Sequence, residues 1–401
     1  MTEGGIALST VPVDTAGPYR VMVCDDSAVI RGLISRSLES DPEIQVVTTV
    51  SNGQMAINAL SRYPVEVLIL DIEMPVMDGL TALPELIRQQ PDLQIVMAST
   101  LTRRNADISM RALAAGAADY LAKPTTTMAL NAAQDFKTEL AAKVKALGSA
   151  RRRNAGLRAP GGARRAPYAP GAAPAAPVAE PAASGARPAL RTVPGGRGQI
   201  TLRPTPTEMP DIIAIGSSTG GPQALFTVLG ALKPGIPQPI VITQHMPATF
   251  TTILAEHIER ASGIPTVEAS DGLLVEGGHI YVAPGDFHMI VEQQGPQRVI
   301  RLLKTPPENY CRPSVDPMLR SLTKIYGRRV FAVILTGMGQ DGLKGGESVV
   351  AAGGSVIAQD EATSVVWGMP GAVSMAGLCS AVIPLPEVAP YIRRVAARAA
   401  S

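Results

Sequence analysis

Residues 65–71 read VEVLILD, an apolar run that ends in a carboxylate. Four runs of similar character lie nearby, separated by helical patterns: YRVMVCDD at 19–26, IQVVTTV at 44–50, LQIVMAST at 93–100 and ADYLAKP at 118–124. Apolar runs that alternate with helices are typical of βα repeats, in which helices cover a parallel sheet. The sequence therefore predicts an α/β domain in the first third of the chain.

A second α/β domain is predicted in the C-terminal half. Strand patterns followed by glycine-rich turns and helices recur as IIAIGSSTGG at 212–221, PIVITQHMP at 239–247 and RRVFAVILTGMGQDG at 328–342. Three further runs are typical of antiparallel strands: HIYVAPG at 279–285, HMIVEQ at 288–293 and RVIRLLK at 298–304. We therefore expect a parallel-sheet domain with a β-hairpin insertion.

The two halves are joined by residues 148–207, which differ in composition. This segment contains ten arginines, one glutamate and no lysine or aspartate, which gives +9, whereas the remaining 26 basic and 33 acidic residues give −7. It is rich in proline, alanine and glycine and lacks apolar periodicity, so we predict a disordered linker. The arginines could also dock on an acidic partner or on nucleic acid, but Tyr168 is the only aromatic residue there. We favour a solvated tether and expect no nucleic-acid partner.

Composition excludes several classes of protein. The three cysteines are far apart, so neither a disulfide framework nor a CxxC metal knuckle is available, and the four histidines form no HxH or HExxH motif. No stretch approaches the roughly 20 apolar residues of a membrane span. The start of the chain lacks a signal-peptide pattern. We expect a cytoplasmic protein with no membrane insertion.

Polar side chains end several strands of the first domain. Asp25 and Asp26 follow one strand and Asp71 ends another, so three carboxylates should meet at the sheet edge where open α/β folds bind ligands. Crowded carboxylates need a cation, and oxygen ligands favour Mg²⁺. Ser99 and Lys123 end two further strands and add a hydroxyl and a positive charge. Each residue alone could merely cap an element, but together they predict a phosphoryl pocket with Asp71 as the nucleophile.

A glycine-rich turn at 216–221 follows the first strand of the second domain, and three interpretations are open. It could hold the phosphates of a dinucleotide, although PIVITQHMP lacks the acidic ribose partner expected there. It could be a plain tight turn. Alternatively, Ser218 in the pattern GxSxG could be a nucleophile lifted clear of the backbone.

The neighbouring strand ends favour the nucleophile. His245 follows PIVITQ and Asp341 follows RRVFAVILTGMGQ, so a serine, an imidazole and a carboxylate should share one sheet edge. We predict that His245 takes the proton of Ser218 and that Asp341 orients the imidazole. The order Ser, His, Asp differs from that of the α/β-hydrolase fold. The turn at 337–339 offers backbone donors to an oxyanion, chiefly the Met338 N–H, aided by Thr219.

Six other residues are weaker candidates. His257 lies in a helical pattern, and His279 and His288 lie in the predicted hairpin. Asp286 and Asp316 precede no turn of catalytic type, and Cys311 does not follow a predicted strand. If neutral His245 is the base, the rate should fall as pH drops through a pKa of about 6.5.

The carboxylates at 25–26, Asp71 within LILDIEMPVMDG, Ser99, and Lys123 within YLAKP resemble the receiver domain of bacterial response regulators. The resemblance implies that a histidine kinase phosphorylates Asp71. It implies Mg²⁺ bound by Asp26, by Asp71 and by the main-chain carbonyl of Glu73, in an acidic cluster that includes Asp25.

The same resemblance implies that Ser99 and Tyr120 report the phosphoryl group to the outer face of the domain. Tyr120 could instead be a core residue, and we give the switch role a small preference.

In the second domain, four stretches resemble the catalytic domain of chemotaxis response-regulator protein-glutamate methylesterases: GSSTGGPQ at 216–223, TQHMP at 243–247, RPSVD at 312–316 and LTGMGQDG at 335–342. The resemblance implies hydrolysis of glutamate methyl esters on chemoreceptors and deamidation of certain receptor glutamines. It implies the same triad, Ser218, His245 and Asp341. No cofactor is expected in this domain.

We therefore expect an N-terminal extension at 1–18, a receiver domain at 19–147, the linker at 148–207 and a methylesterase domain at 208–401. The predicted fold class is α/β, with a flavodoxin-like receiver and a Rossmann-like esterase, each doubly wound on a parallel sheet. The unphosphorylated receiver should obstruct the triad. Two other functions are open: a non-catalytic receptor-binding regulator, and an oxidoreductase that binds a nucleotide at 216–221.

Overall fold

The structure is a computed structural model that describes residues 17–100, 102–123, 130–156, 191–195, 198–205 and 208–397. Within these ranges the side chains of 130–135, 154 and 191–199 are not described. Most of the expected N-terminal extension and most of the expected linker lie outside the described residues.

The first domain is a five-stranded parallel sheet. Its strands are β1 Tyr19–Cys24, β2 Ile44–Val50, β3 Val67–Asp71, β4 Gln94–Ser99 and β5 Asp119–Ala122. Its helices are α1 Ala28–Glu39, α2 Gly53–Leu60, α3 Gly79–Gln89, α4 Arg103–Ala114 and α5 Leu130–Gly156. The strand order β2-β1-β3-β4-β5, with every pairing parallel, confirms the flavodoxin-like prediction.

Helices cover both faces of this sheet, which explains the apolar character of VEVLILD. All of β3 is buried. Leu68 and Leu70 pack in a layer that includes residues of α2, α3 and α4, whereas Val67 and Ile69 pack with residues of α1 and α5. A strand buried on both sides has no solvent face and therefore shows no alternation of polar residues.

The second domain contains a seven-stranded parallel sheet. Its strands are β8 Ile212–Ser217, β9 Ile240–Gln244, β10 Thr266–Glu268, β11 Ile280–Val282, β14 Val330–Ile334, β15 Ser355–Gln359 and β16 Cys379–Ile383. Its helices are α6 Gly221–Gly230, α7 Ala248–Ser262, α8 Val315–Tyr326, α9 Leu343–Ala351, α10 Met369–Met375 and α11 Leu385–Ala396. The strand order β10-β11-β9-β8-β14-β15-β16 reverses direction at β8, which confirms the doubly wound prediction.

The predicted hairpin is present, but one strand assigned to the antiparallel group is not part of it. The hairpin consists of β12 His288–Gln294 and β13 Gln297–Leu303. HIYVAPG instead supplies β11, which pairs in parallel with both β9 and β10. That prediction was wrong because three buried residues show no period, and the direction of a strand depends on its connection rather than on its own residues.

Secondary structure also lies inside the expected linker range. Helix α5 continues to Gly156, and β6 Arg191–Gly195 and β7 Gly198–Leu202 form an antiparallel hairpin. The helix extension is held by Arg152, whose guanidinium donates to the buried Glu66 carboxylate at 2.6 and 2.8 Å and lies over the Tyr19 ring. An ion pair formed with a residue 86 positions away cannot be deduced from local composition. The exact domain limits remain a prediction.

The two domains are in direct contact through α4, which packs against α6 and α7. Tyr120 of the first domain stacks on Phe250 of the second, with ring centroids 4.5 Å apart. Polar contacts surround this stack: Asp107 accepts from His257 at 2.9 Å, and Arg103 pairs with Glu256 at 2.6 Å. Within the described ranges, no helix is long and apolar enough to cross a membrane.

Candidate functional site

Three neighbouring strands bring Ser218, His245 and Asp341 to one edge of the second sheet. Ser218 and His245 directly follow β8 and β9, which are paired, and Asp341 lies beyond β14 on the other side of β8. The Ser218 backbone is fixed from both sides, because its N–H donates to Thr336 O and its carbonyl accepts from the Gln244 side chain, both at 3.0 Å. The central position of Ser218 therefore follows from strand order.

His245 and Asp341 form a hydrogen-bonded pair, with 2.7 Å between Nε2 and Oδ2. Asp341 is buried, and further donors hold its carboxylate. These donors are Asn309 Nδ2 at 2.8 Å, Ser314 Oγ at 2.7 Å, and the backbone N–H groups of Val315 at 2.6 Å, Asp316 at 3.1 Å and Gly342 at 2.9 Å. Burial raises the pKa of Asp341, but the hydrogen bonds outweigh burial and hold this pKa below its usual range. Asp341 is therefore a fixed, ionised partner for the imidazole.

The other nitrogen of His245 faces a cysteine. Cys311 Sγ lies 3.3 Å from Nδ1. Burial lowers the pKa of His245, but hydrogen bonds and charges from Asp341 and Cys311 outweigh burial and raise this pKa to about 10. These contacts favour the charged form of the imidazole, and the charged form cannot accept a proton from serine. The acidic limb of the rate profile therefore belongs at higher pH than the value of about 6.5 expected from the sequence.

Ser218 is half-buried, and within the described part of the chain its hydroxyl forms no hydrogen bond. The structure thus brings together His245 and Asp341 as expected, and it also brings in Cys311, which strand patterns had made the weaker candidate. The one available signal was proximity in sequence, because Cys311 directly precedes RPSVD.

The turn at 337–339 lies against Ser218, as expected for an oxyanion site. A Cβ placed on Gly337 would come within 2.9 Å of Ser218 Cβ and 2.4 Å of Met369 Sδ, so only glycine allows this approach. Among the described residues, no acceptor is bound by the N–H of Met338 or of Thr219. These two N–H groups are therefore available to bind the oxyanion that develops when a serine attacks a carbonyl carbon.

The remaining histidine and aspartate candidates have other partners. His257 pairs with Asp107 across the domain contact. Asp286 lies at the surface with Arg312 and Lys304. Asp316 accepts from Asn309 and from the N–H groups of Gly342 and Gly345 at the start of α9.

The last two histidines bond to backbone. His279 Nδ1 is 3.0 Å from the Gly277 carbonyl, and buried His288 lies with Nε2 3.1 Å from the Pro306 carbonyl. None of these five candidates forms a hydrogen bond with His245 in the described structure.

In the first domain, the expected acidic pocket is assembled at the sheet edge. Carboxylate oxygens of Asp25, Asp26 and Asp71 all lie within 4.8 Å of one another. Lys123 Nζ lies between them, 2.7 Å from Asp25 and 2.6 Å from Asp71. Burial raises the pKa of Asp71 to about 6, although Lys123 opposes this rise. The buried Asp71 Oδ2 forms no hydrogen bond with any described residue, and this orphaned oxygen in an all-oxygen donor set fits a divalent cation.

The expected switch residues lie on the side of this pocket that faces the second domain. The Ser99 hydroxyl is hydrogen-bonded to that of Ser109 on α4, with the oxygens 3.2 Å apart. Tyr120 is buried against Phe250 rather than in the interior of its own domain. Glu73 is exposed after β3. Sequence reasoning missed Ser109 and Asn309 because neither ends a strand.

Comparison with known proteins places each domain in a family. The family model described as CheB methylesterase matches residues 213–392, and that described as response regulator receiver domain matches residues 21–135. The protein-glutamate methylesterase/protein-glutamine glutaminase 1 of Rhodospirillum rubrum is 59% identical over 388 residues, 95% of this chain and 96% of that protein. The protein-glutamate methylesterase/protein-glutamine glutaminase of the group 2 operon of Rhodospirillum centenum is 60% identical over 398 residues, 97% of each chain.

Among solved structures, the CheB methylesterase catalytic domain of Thermotoga maritima is 41% identical to this chain. It covers 46% of this chain and 98% of its own, with a TM-score of 0.46.

A receiver domain joined to a hydrolase domain defines a response regulator with an enzymatic output. The chain belongs to the family of CheB methylesterases that carry a receiver domain, the protein-glutamate methylesterases/protein-glutamine glutaminases. It is accordingly an ester and amide hydrolase under receiver control. A non-catalytic regulator and a nucleotide-dependent oxidoreductase are not favoured, since the relatives are named as hydrolases of protein side chains.

Proposed function

We propose that this chain removes methyl esters from glutamate side chains of chemoreceptors and deamidates receptor glutamines, and that phosphorylation of Asp71 by a histidine kinase raises the rate. The observation that carries the proposal is the common edge at which Ser218, the His245–Asp341 pair and the free N–H groups of Met338 and Thr219 meet.

Hydrolysis would proceed in two steps at this edge. His245 takes the proton of Ser218 as the hydroxyl attacks the ester carbon, and the N–H groups of Met338 and Thr219 hold the oxyanion. The imidazole then returns the proton to the departing methanol, or to ammonia when the substrate is glutamine. Water, activated by the same imidazole, releases the glutamate and restores Ser218. Asp341 keeps the ring oriented and balances its charge throughout.

The resting arrangement has to change before this chemistry begins. His245 Nδ1 faces Cys311 rather than Ser218, and the receiver packs beside the oxyanion turn, where Met338 and Val366 contact its apolar cluster. Both features hold the site in an unproductive state. We infer that undocking of the receiver frees the turn and allows His245 to engage Ser218.

Phosphorylation can act on the docked face through Ser99. In the receiver we assign Mg²⁺ to Asp25, Asp26, Asp71 and the main-chain carbonyl of Glu73, and Lys123 to the phosphoryl group. When bound, the metal would neutralise the roughly 1.5 to 2 negative charges that phosphorylation adds. A phosphoryl group on Asp71 would compete for the Ser99 hydroxyl with Ser109 of α4, the helix that packs on the second domain. Loss of that bond, together with movement of Tyr120 off Phe250, would weaken docking.

The proposal is tested by methanol release from methylated receptors, using the full-length chain with and without Mg²⁺ and a small acyl phosphate. Asp71→Asn should abolish the stimulation and leave the basal rate measurable, because Ser218 and His245 lie in the other domain. Stimulation that persists in Asp71→Asn would contradict the phosphoacceptor assignment. Absence of methanol from the phosphorylated wild type would contradict the proposed activity.

We further propose that the enzyme works in the cytoplasm. Its three cysteines, Cys24, Cys311 and Cys379, are free thiols, which suits a reducing compartment.

A further inference from the structure

A tight turn at 308–311 lies beside the candidate triad. Glu308 and Cys311 exchange two backbone hydrogen bonds, of 3.1 and 2.9 Å. The central residues Asn309 and Tyr310 both have positive φ, +52° and +62°. Residues with a side chain rarely adopt this conformation, and asparagine tolerates it best. The backbone strain places two side chains on opposite sides: Tyr310 is fully exposed, and Asn309 reaches inward.

The Asn309 amide joins two carboxylates. Its Nδ2 donates to Asp341 Oδ1 at 2.8 Å and to Asp316 Oδ2 at 2.9 Å. An amide nitrogen has two hydrogens, so one group satisfies both acceptors without adding charge. Asp341 Oδ2 remains available to His245. The amide therefore separates two buried acids that would otherwise repel each other and fixes the plane of the Asp341 carboxylate.

We propose that Asn309 is a positioning residue for hydrolysis: by bridging Asp316 to Asp341 it fixes the carboxylate that holds the His245 imidazole through Nε2. This inference rests on the proposed function of the same site. The direct hydrogen bond is to Asp341, and the effect on the reaction passes through the imidazole.

Several charged or titratable groups surround this bridge, and they come from the different elements packed against it. Asp316 and Arg320 come from α8, and Arg320 pairs with Glu308 of the turn at 2.6 Å. Cys311 faces His245, and His288 of β12 accepts from the backbone of Ser314, whose hydroxyl donates to Asp341. A carboxylate at position 309 would add a negative charge near His245 and would favour the charged form of its imidazole.

The test compares Asn309→Gly and Asn309→Asp with wild type in the full-length chain, measuring methanol release from methylated receptors against pH. Glycine keeps the positive φ and removes the amide. We expect kcat to fall roughly tenfold to a hundredfold with little change in KM, because a hydrogen bond to a charged group is lost. Asn309→Asp is nearly isosteric, and its acidic limb should move to higher pH because a nearby anion strengthens proton binding by His245.

Tyr310→Asn is the matched control, since it changes the same turn and retains the Asn309 amide. The acidic limb of its pH profile should coincide with that of wild type, even if KM changes. A wild-type kcat in Asn309→Gly, or an unshifted acidic limb in Asn309→Asp, would overturn the positioning role. If wild type is active and both Asn309 variants behave like wild type, this inference fails and the proposed function stands. If wild type releases no methanol, both fail.

Discussion

At the scale of single residues, two side chains of the candidate site, Ser218 and Cys311, could attack an ester. Ser218 Oγ is free of hydrogen bonds in the described structure, whereas Cys311 Sγ is 3.3 Å from His245 Nδ1. We predict that Ser218→Ala lowers kcat/KM by at least about a thousandfold, because only the oxyanion donors and substrate binding remain. Cys311→Ala should retain activity and move the acidic limb of kcat/KM to lower pH.

The sign of that shift follows from the contacts of His245. The hydrogen bond and charge of Cys311 help to raise the pKa of His245 to about 10. Without the thiol, the neutral imidazole is present at lower pH and can act as a base there. Methanol release measured across the pH range for Cys311→Ala and Ser218→Ala shows which of the two residues is the nucleophile. Retained activity in Ser218→Ala together with loss of activity in Cys311→Ala would make the cysteine the nucleophile.

At the scale of one element, the turn at 337–339 depends on its close approach to Ser218. Gly337→Ala would place a methyl group within 2.9 Å of Ser218 Cβ and push the turn away from the serine. We predict a loss in kcat on the order of a hundredfold, since displacement of about 1 Å costs that much in an active site, with KM nearly unchanged. Gly230→Ala, at the end of α6, is the control, because its nearest neighbour is 3.5 Å away. Full kcat in Gly337→Ala would remove the turn from the mechanism.

At the scale of the whole molecule, the docked receiver is held partly by charge. Asp107 of α4 faces His257 and Arg260 of α7, at 2.9 and 3.8 Å. Asp107→Lys would turn attraction into repulsion and should raise the unphosphorylated rate of methanol release by roughly twofold to tenfold, as expected for exposed charges. The phosphodonor-stimulated rate should not change, because the receiver is then already released.

Glu85→Lys makes the same change of charge on α3, where Glu85 pairs with Arg88 of its own helix and with no other described residue. Its basal rate should equal that of wild type. A basal rate in Asp107→Lys no higher than in Glu85→Lys would show that this contact does not restrain the enzyme.

Local pattern was enough to predict both parallel sheets, the β-hairpin, and the residues at the strand ends. Buried strands such as β3 and β8 are continuous apolar runs, and a polar residue directly after such a run lies at the sheet edge. The parallel connection of successive strands then places those edges together. For this reason the acidic pocket around Asp71 and the His245–Asp341 pair were both predictable from the residues alone.

Contacts between distant positions were decided only by the tertiary structure. The approach of Cys311 to His245, the bridge of Asn309 to Asp341, the Arg152–Glu66 pair that extends α5, and the stack of Tyr120 on Phe250 join residues 32 to 130 positions apart. None of these pairings has a periodic or motif signal, since the partners are set by how strands and domains pack. The same holds for the direction of β11, which a three-residue segment cannot specify. Local sequence thus specifies which elements form and where their ends lie, whereas packing specifies which side chains meet.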